Sequence, residues 1–272
     1  DAVPALARIS AVEWIEEVPE LTLRNDVTRW IIQSNDSLET PLHDAGLFGE
    51  GEMFGQIDGK IRNTSCFFDD PGVAIGPQHR KIVAMRGSSI LSGWEHGTHT
   101  AGSLAGDAYP INGSLVARGM APLARISHQN FNDLEWIEVT GQPSNLYDFL
   151  AAAHADGARI HSNSWGDDGN TAYTSLCRDV DLFAYDHEQD LVVFSVTNQA
   201  ALRTPENAKN VLEVGASWSN PNQALISDGG RGLTNDGRRK PEVFAPGRGT
   251  ISASNANDCS TRSSSGTSMA CP

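Results

Sequence analysis

Between residues 52 and 217 the chain alternates between two hydrophobic periods, and that alternation narrows its folds more than any other feature. The runs EMFGQID (52–58), RKIVAM (80–85), ARISHQNF (124–131), RIHSNSW (159–165), LVVFSVT (191–197) and VLEVGAS (211–217) read as strands. NLYDFLAAAHADGA (145–158) and TSLCRDVDLFAYDHEQD (174–190) carry helical spacing. Strands separated by helices of this length are joined by crossovers, which predicts an α/β domain with a mostly parallel sheet covered on both faces. At 272 residues, 39% of them hydrophobic, the chain is long enough to bury the core such a domain needs. The alternation is preceded by NDVTRWIIQSN (25–35), a helical start with Asn25 or Asp26 as its cap. Residues 1–24 differ in character, with a helix end in ALARI and a strand-like AVEWIEEV.

Charge and cysteine content exclude several functions. A formal charge of −14 argues against a nucleic-acid partner, which calls for clustered Lys and Arg. Apolar runs stop short of the roughly 18 residues a membrane span requires, so no membrane partner is expected. Cys66, Cys177, Cys259 and Cys271 form no CxxC pair, which disfavours a structural zinc site. Four cysteines permit three full disulfide pairings, and buried free thiols are the other reading.

The chemistry lies in two short stretches. SSSGTSMACP (263–272) sets Ser268 after Gly266-Thr267, as a nucleophile at the start of a helix would be set. A serine hydroxyl needs an adjacent base, and the base needs an orienting partner. HGTHTAGSLAG (96–106) offers the base: His96 at a helix entrance, His99 about one turn on, and small residues that suit a tightly buried helix. A metal pair is the competing reading of the two histidines, but zinc-protease helices space them four apart with Glu after the first. Here the spacing is three and Glu95 precedes His96, so no metal site is expected.

QIDG (56–59), HGTHTAG (96–102) and GTSMACP (266–272) follow the order Asp, His, Ser. That is the order of subtilisin, as against chymotrypsin or the α/β-hydrolases. With GEG (49–51), GMAP (119–122), NSWG (163–166), TPENAKNVLEVGAS (204–217) and DGRRKPEVFAPG (236–247), the chain resembles the subtilisin-like serine proteases, or subtilases. The nearest likeness within them is to the bacterial alkaline proteases of the KP-43 type, whose mature chain begins with a similar NDV segment.

The resemblance implies a subtilisin-like three-layer fold and a serine endopeptidase acting on protein or peptide substrates. It makes Ser268 the nucleophile, His96 the general base, Asp58 the residue that orients the imidazole, and Asn198 the oxyanion donor. Ser164, Trp165 and Gly166 would flank the substrate, with side-chain preference set around Trp165 and the 130–145 stretch. It further implies that residues 1–24 are the tail of an inhibitory propeptide acting on its own chain, cut near Arg24–Asn25, with 25–272 the catalytic domain; an N-terminal structural strand of the mature domain is the alternative. Secretion, and structural calcium without a ligand spacing that identifies its site, belong to the same expectation; no cofactor is required for catalysis. In the family a long helix follows the serine, so the sequence reads as incomplete at its C-terminal end, four residues being too few for that helix, and as inactive by itself.

Two positions depart from the family. Asp58-Gly59-Lys60 stands where Asp-Thr-Gly or Asp-Ser-Gly is usual, bringing a lysine close to the carboxylate. Val196-Thr197 replaces a small Ala-Gly pair before Asn198, which predicts a narrower pocket. A non-catalytic subtilase-like module is the rival from another class, and the intact set of four groups argues against it. Asn35, Asn63 and Asn112 begin N-x-S/T sequons, relevant only where secreted proteins are glycosylated. Cys271, three residues past Ser268, reads as a buried inert thiol.

Overall fold

The structure is a computed structural model describing residues 8–9, 25–87, 94–108, 118–131, 146–227 and 229–272. Nearly all of the 1–24 leader, most of the 130–145 stretch and the Asn112 sequon therefore lie outside the described residues, as do the side chains of 25–27 and the capping expectation with them. In chain order the elements begin α1 (Asn25–Gln33), α2 (Pro41–Asp44), β1 (Met53–Asp58), β2 (Ile82–Arg86) and α3 (Trp94–Ala105). There follow β3 (Arg125–Asn130), α4 (Leu146–Asp156), β4 (Ile160–Asn163), α5 (Ser175–Asp186), β5 (Leu191–Ser195) and β6 (Leu212–Trp218). A short hairpin of β7 (Gly232–Leu233) and β8 (Arg239–Lys240) leads to β9 (Val243–Ala253), β10 (Thr261–Ser265) and α6 (Thr267–Ala270).

Eight strands form one sheet in the order β10-β9-β6-β5-β4-β1-β3-β2. Every neighbouring pair from β2 across to β9 is parallel, and only β10 runs antiparallel, along β9. This is the subtilisin-like three-layer α/β architecture, and each strand expected from the sequence is present within a residue or two at its ends. β9 and β10 were not expected. Pro246 and Gly247 interrupt the first, and Pro246 is accommodated beside a register shift at Ser217/Trp218. TRSSS carries no apolar residue, which suits an edge strand whose neighbour lies on one side only.

The two faces of the sheet bury different cores. On one, α4 and α5 cover Ile57, Val192 and Phe194 with Leu146, Leu150, Val180 and Phe183. On the other, α3 supplies Ala101, Leu104 and Ala105 to a cluster with Ile82 and Ile126. Fully buried side chains such as Phe183 and Phe194 each contribute about 1.5–3 kcal/mol relative to exposure. Because side chains alternate along a strand, Ile57 points into the α4–α5 core while Gln56 and Asp58 point at α3. Cys66 and Cys259, 193 residues apart, are joined in a disulfide that ties the loop after β1 to the β9–β10 turn; Cys177 and Cys271 are free and buried.

Candidate active site

In a parallel sheet the functional crevice opens beyond the carboxyl ends of the strands, where the strand order switches direction. β1 is that point here: its successors in the chain lie on both sides, β3 on one and β4 on the other. Asp58 is the last residue of β1, Ser164 follows β4, and Asn198 lies three residues past β5. These groups therefore collect at one edge of the sheet.

α3 brings His96 to Asp58. A Cβ on Gly97 would stand 1.6 Å from the Gly59 carbonyl oxygen, so only glycine lets the helix approach β1 this closely. The His96 Nδ1–H donates to Asp58 Oδ1 at 2.7 Å. The same oxygen accepts the Gly59 N–H at 2.6 Å, and Oδ2 accepts the Thr100 hydroxyl at 2.9 Å. The carboxylate is nearly fully buried and the imidazole about a third exposed. Burial opposes protonation of His96, but the charge and hydrogen bond of Asp58, with Glu95 adding to them, hold its pKa above the usual histidine value.

On the far side, the chain turns into α6 through Gly266, whose φ of +149° is one that L side chains rarely adopt. A Cβ there would also crowd Asn198 Oδ1 at 3.2 Å. Asn198 Oδ1 accepts the Thr267 N–H (3.0 Å) and hydroxyl (3.1 Å), satisfying an amide that the first helical turn leaves free. The backbone donor fixes the orientation of the amide, so Nδ2 is the atom left for another acceptor. Ser268 and Ser164 form a reciprocal pair, the Ser268 hydroxyl donating to Ser164 O and the Ser164 hydroxyl to Ser268 O, each at 3.1 Å. The single proton of Ser268 is thus directed at the Ser164 carbonyl and not at His96. Thr267–Ala270 forms a single helical turn. Ala270 and Cys271 pack beneath it against Val193, Val214 and Ala216.

The remaining sequence-predicted residues divide. Gly166 is exposed, whereas the Trp165 ring packs on Phe194, ring centroids 5.2 Å apart, beside the α4–α5 core. His99 is buried with Nε2 toward Arg262 O at 3.2 Å, and burial lowers its pKa to about 4. It is a neutral core histidine. Lys60 makes no ion pair with Asp58 among the described residues, the carboxylate oxygens being engaged by Gly59, His96 and Thr100. The Thr197 hydroxyl donates to Asp168, tying the end of β5 across to the segment after β4. Cys271 is held near Asn163 O, and burial pushes its thiol up to about 11, which leaves it unreactive. Thr100 was missed by sequence reasoning; its place one turn after His96 was the available signal.

Comparison with known proteins bears on the family and the fold. Residues 67–272 match the model of the Subtilase family. A serine protease/ABC transporter B family protein, tagA of Dictyostelium discoideum, is 30% identical over 238 residues, covering 80% of this chain and 13% of the relative. Cerevisin of Saccharomyces cerevisiae is 29% identical over 228 residues, covering 78% of this chain and 33% of its own. The chain thus spans only a small part of the Dictyostelium protein and about a third of the yeast one. Among solved structures, a PatG macrocyclase in complex with peptide superposes with a TM-score of 0.59 at 18% identity, over 85% of this chain and 76% of that one. That likeness is one of fold.

Proposed function

The chain belongs to the subtilase family, and from that premise we propose that it carries out serine endopeptidase chemistry on protein or peptide substrates. Ser268 attacks the scissile carbonyl carbon and its proton passes to Nε2 of His96. Asp58 holds the Nδ1–H tautomer and offsets the charge of the imidazolium. The oxyanion is stabilised by Nδ2 of Asn198 and the Ser268 backbone N–H. His96 then returns the proton to the leaving amine, and water, deprotonated by the same imidazole, hydrolyses the acyl-enzyme. The observation that carries the reading is the 2.7 Å Nδ1–Oδ1 contact, made at the sheet edge where Ser268 and Asn198 also lie.

The narrower parts of the proposal rest on the sequence. Residues 1–24 act as the tail of an inhibitory propeptide and 25–272 as the catalytic domain, in a secreted protein made as a zymogen. Ser164, Trp165 and Gly166 flank the substrate. The likeness to KP-43-type alkaline proteases rests on the NDV segment at 25–27. Structural calcium enters as a family property alone: among the described residues no group of three or more His, Cys, Asp or Glu side chains could hold a metal ion, and no step is routed through one.

Hydrolysis of an unfolded protein by the whole natural protein tests the reading. Cleavage should disappear in Ser268→Ala and persist, at least transiently, when a chelator is added. Cleavage that survives Ser268→Ala and stops with the chelator would instead favour metal-dependent hydrolysis.

A further inference from the structure

Behind Asp58 lies a line of polar side chains where a sheet covered on both faces ordinarily carries Val, Ile or Leu. Gln56 is two residues before Asp58 on β1 and shares its face. His128 stands directly opposite Gln56 in the β1–β3 register. Thr100 lies four residues after His96, so both project from one side of α3. Gln56, Thr100 and His128 are at most 2% exposed, so their hydrogen bonds are made within the protein, and His128 Nε2 is left without a partner among the described residues.

The direction of every bond in this line follows from the inventory of protons. Gln56 Nε2 lies 3.3 Å from the Gly97 carbonyl, which can only accept, so this atom is the amide nitrogen. The same nitrogen donates to Thr100 Oγ1 at 2.9 Å. Thr100 has one hydroxyl proton, and of its acceptors Asp58 Oδ2 is the nearest, at 2.9 Å, and the charged one. Gln56 Oε1 is then an acceptor, so His128 Nδ1, 3.0 Å away, carries a proton. Burial lowers the His128 pKa to about 4, leaving it neutral with that proton alone. The sequence of donors is His128 to Gln56 to Thr100 to Asp58, each dipole presenting its positive end toward the carboxylate, an arrangement in which successive bonds strengthen one another.

Taking the triad reading of Asp58 and His96 as given, we propose that Thr100, backed by Gln56 and His128, is a positioning residue that fixes the Asp58 carboxylate in the plane His96 requires. The Thr100 hydroxyl is the donor to Oδ2, while Oδ1 is shared by Gly59 and His96. Without it the carboxylate is held through Oδ1 alone, and its less compensated charge acts more strongly on the imidazole. The titratable and charged groups around the Asp58–His96 pair are Glu95 and His99 on α3, His128 on β3, Arg262, which pairs with Glu95, and Lys60, which acts on His128. A substitution at Thr100 removes none of them.

The test is the pH dependence of kcat/KM for Thr100→Val and Thr100→Ser, with the His96 imidazole titrated in parallel by NMR. Thr100→Val should lower kcat about 10-fold or more at unchanged KM, as loss of a hydrogen bond to a charged group does. It should also move the acid limb and the His96 titration to higher pH, and Thr100→Ser should restore both. An acid limb identical to wild type in Thr100→Val, or a loss not rescued by serine, overturns the proposal. If Thr100→Val does not fold, Gln56→Met, one link further back, should shift the His96 titration in the same direction by less; no shift overturns the relay. The NMR titration needs no turnover. A wild-type protein that fails to hydrolyse peptides would therefore count against the proposed function, while the relay would still be judged on the titration.

Discussion

His96 is subject to opposed influences whose balance sets when the site can work. Burial alone would keep the imidazole neutral, but the buried Asp58 carboxylate outweighs it and raises the pKa above the usual histidine value. In the proposed mechanism the base must be neutral to accept the proton of Ser268. Activity is therefore lost as pH falls through a raised pKa, and the working range is displaced toward alkaline pH. The acid limb of kcat/KM should report an apparent pKa above the ordinary histidine range. Asp58→Asn should bring that limb down while lowering kcat by orders of magnitude, about 10⁴-fold by analogy with other triads. A limb unmoved by Asp58→Asn would mean that the carboxylate does not govern this imidazole. Ser268 and His96 stood out in the sequence as candidates because small residues crowd them in short motifs of fixed spacing. Gln56 and His128 were not, because a polar residue inside a buried strand gains meaning only when the neighbouring strand and helix are known.

The parallel strands were legible as elements because each is a short apolar or β-branched run bounded by turn residues. β9 was hidden by Pro246 and Gly247, and β10 by the lack of any apolar residue, so neither produced the period that reveals a strand. The antiparallel edge they form was found only in the structure. The contact between β1 and α3 is the pairing of elements on which the site depends. Gly97 permits it: a side chain there would collide with the Gly59 carbonyl at 1.6 Å, and the backbone cannot yield as a flexible side chain would. Gly97→Ala should force α3 away from β1 by a large fraction of an ångström or more and separate His96 from Asp58. Overpacking of this kind costs about 1–3 kcal/mol of stability. A misplacement of about 1 Å costs on the order of 10²-fold in rate. Thermal unfolding and kcat/KM measured together check this expectation, and an unchanged kcat/KM in Gly97→Ala would contradict it.

At the scale of the whole molecule, the candidate site lies where the sheet reverses its winding. Asp58, Ser164 and Asn198 come from three strands adjacent in space, β1, β4 and β5, and all sit at or just past the carboxyl ends. α3 and α6 then deliver His96 and Ser268 to the same edge from one face. The alternation of strand and helix made this architecture readable in advance. The Cys66–Cys259 pairing was not readable, since it depends on the loop after β1 lying against the β9–β10 turn, which no spacing in the chain reveals. The direct test of convergence is intact-mass labelling of the whole natural protein with a serine-directed fluorophosphonate, followed by peptide mapping. The account predicts one adduct, on Ser268, formed only in the folded protein and lost in His96→Ala. A folded wild-type protein that takes up no adduct, or labels equally well without His96, would contradict it.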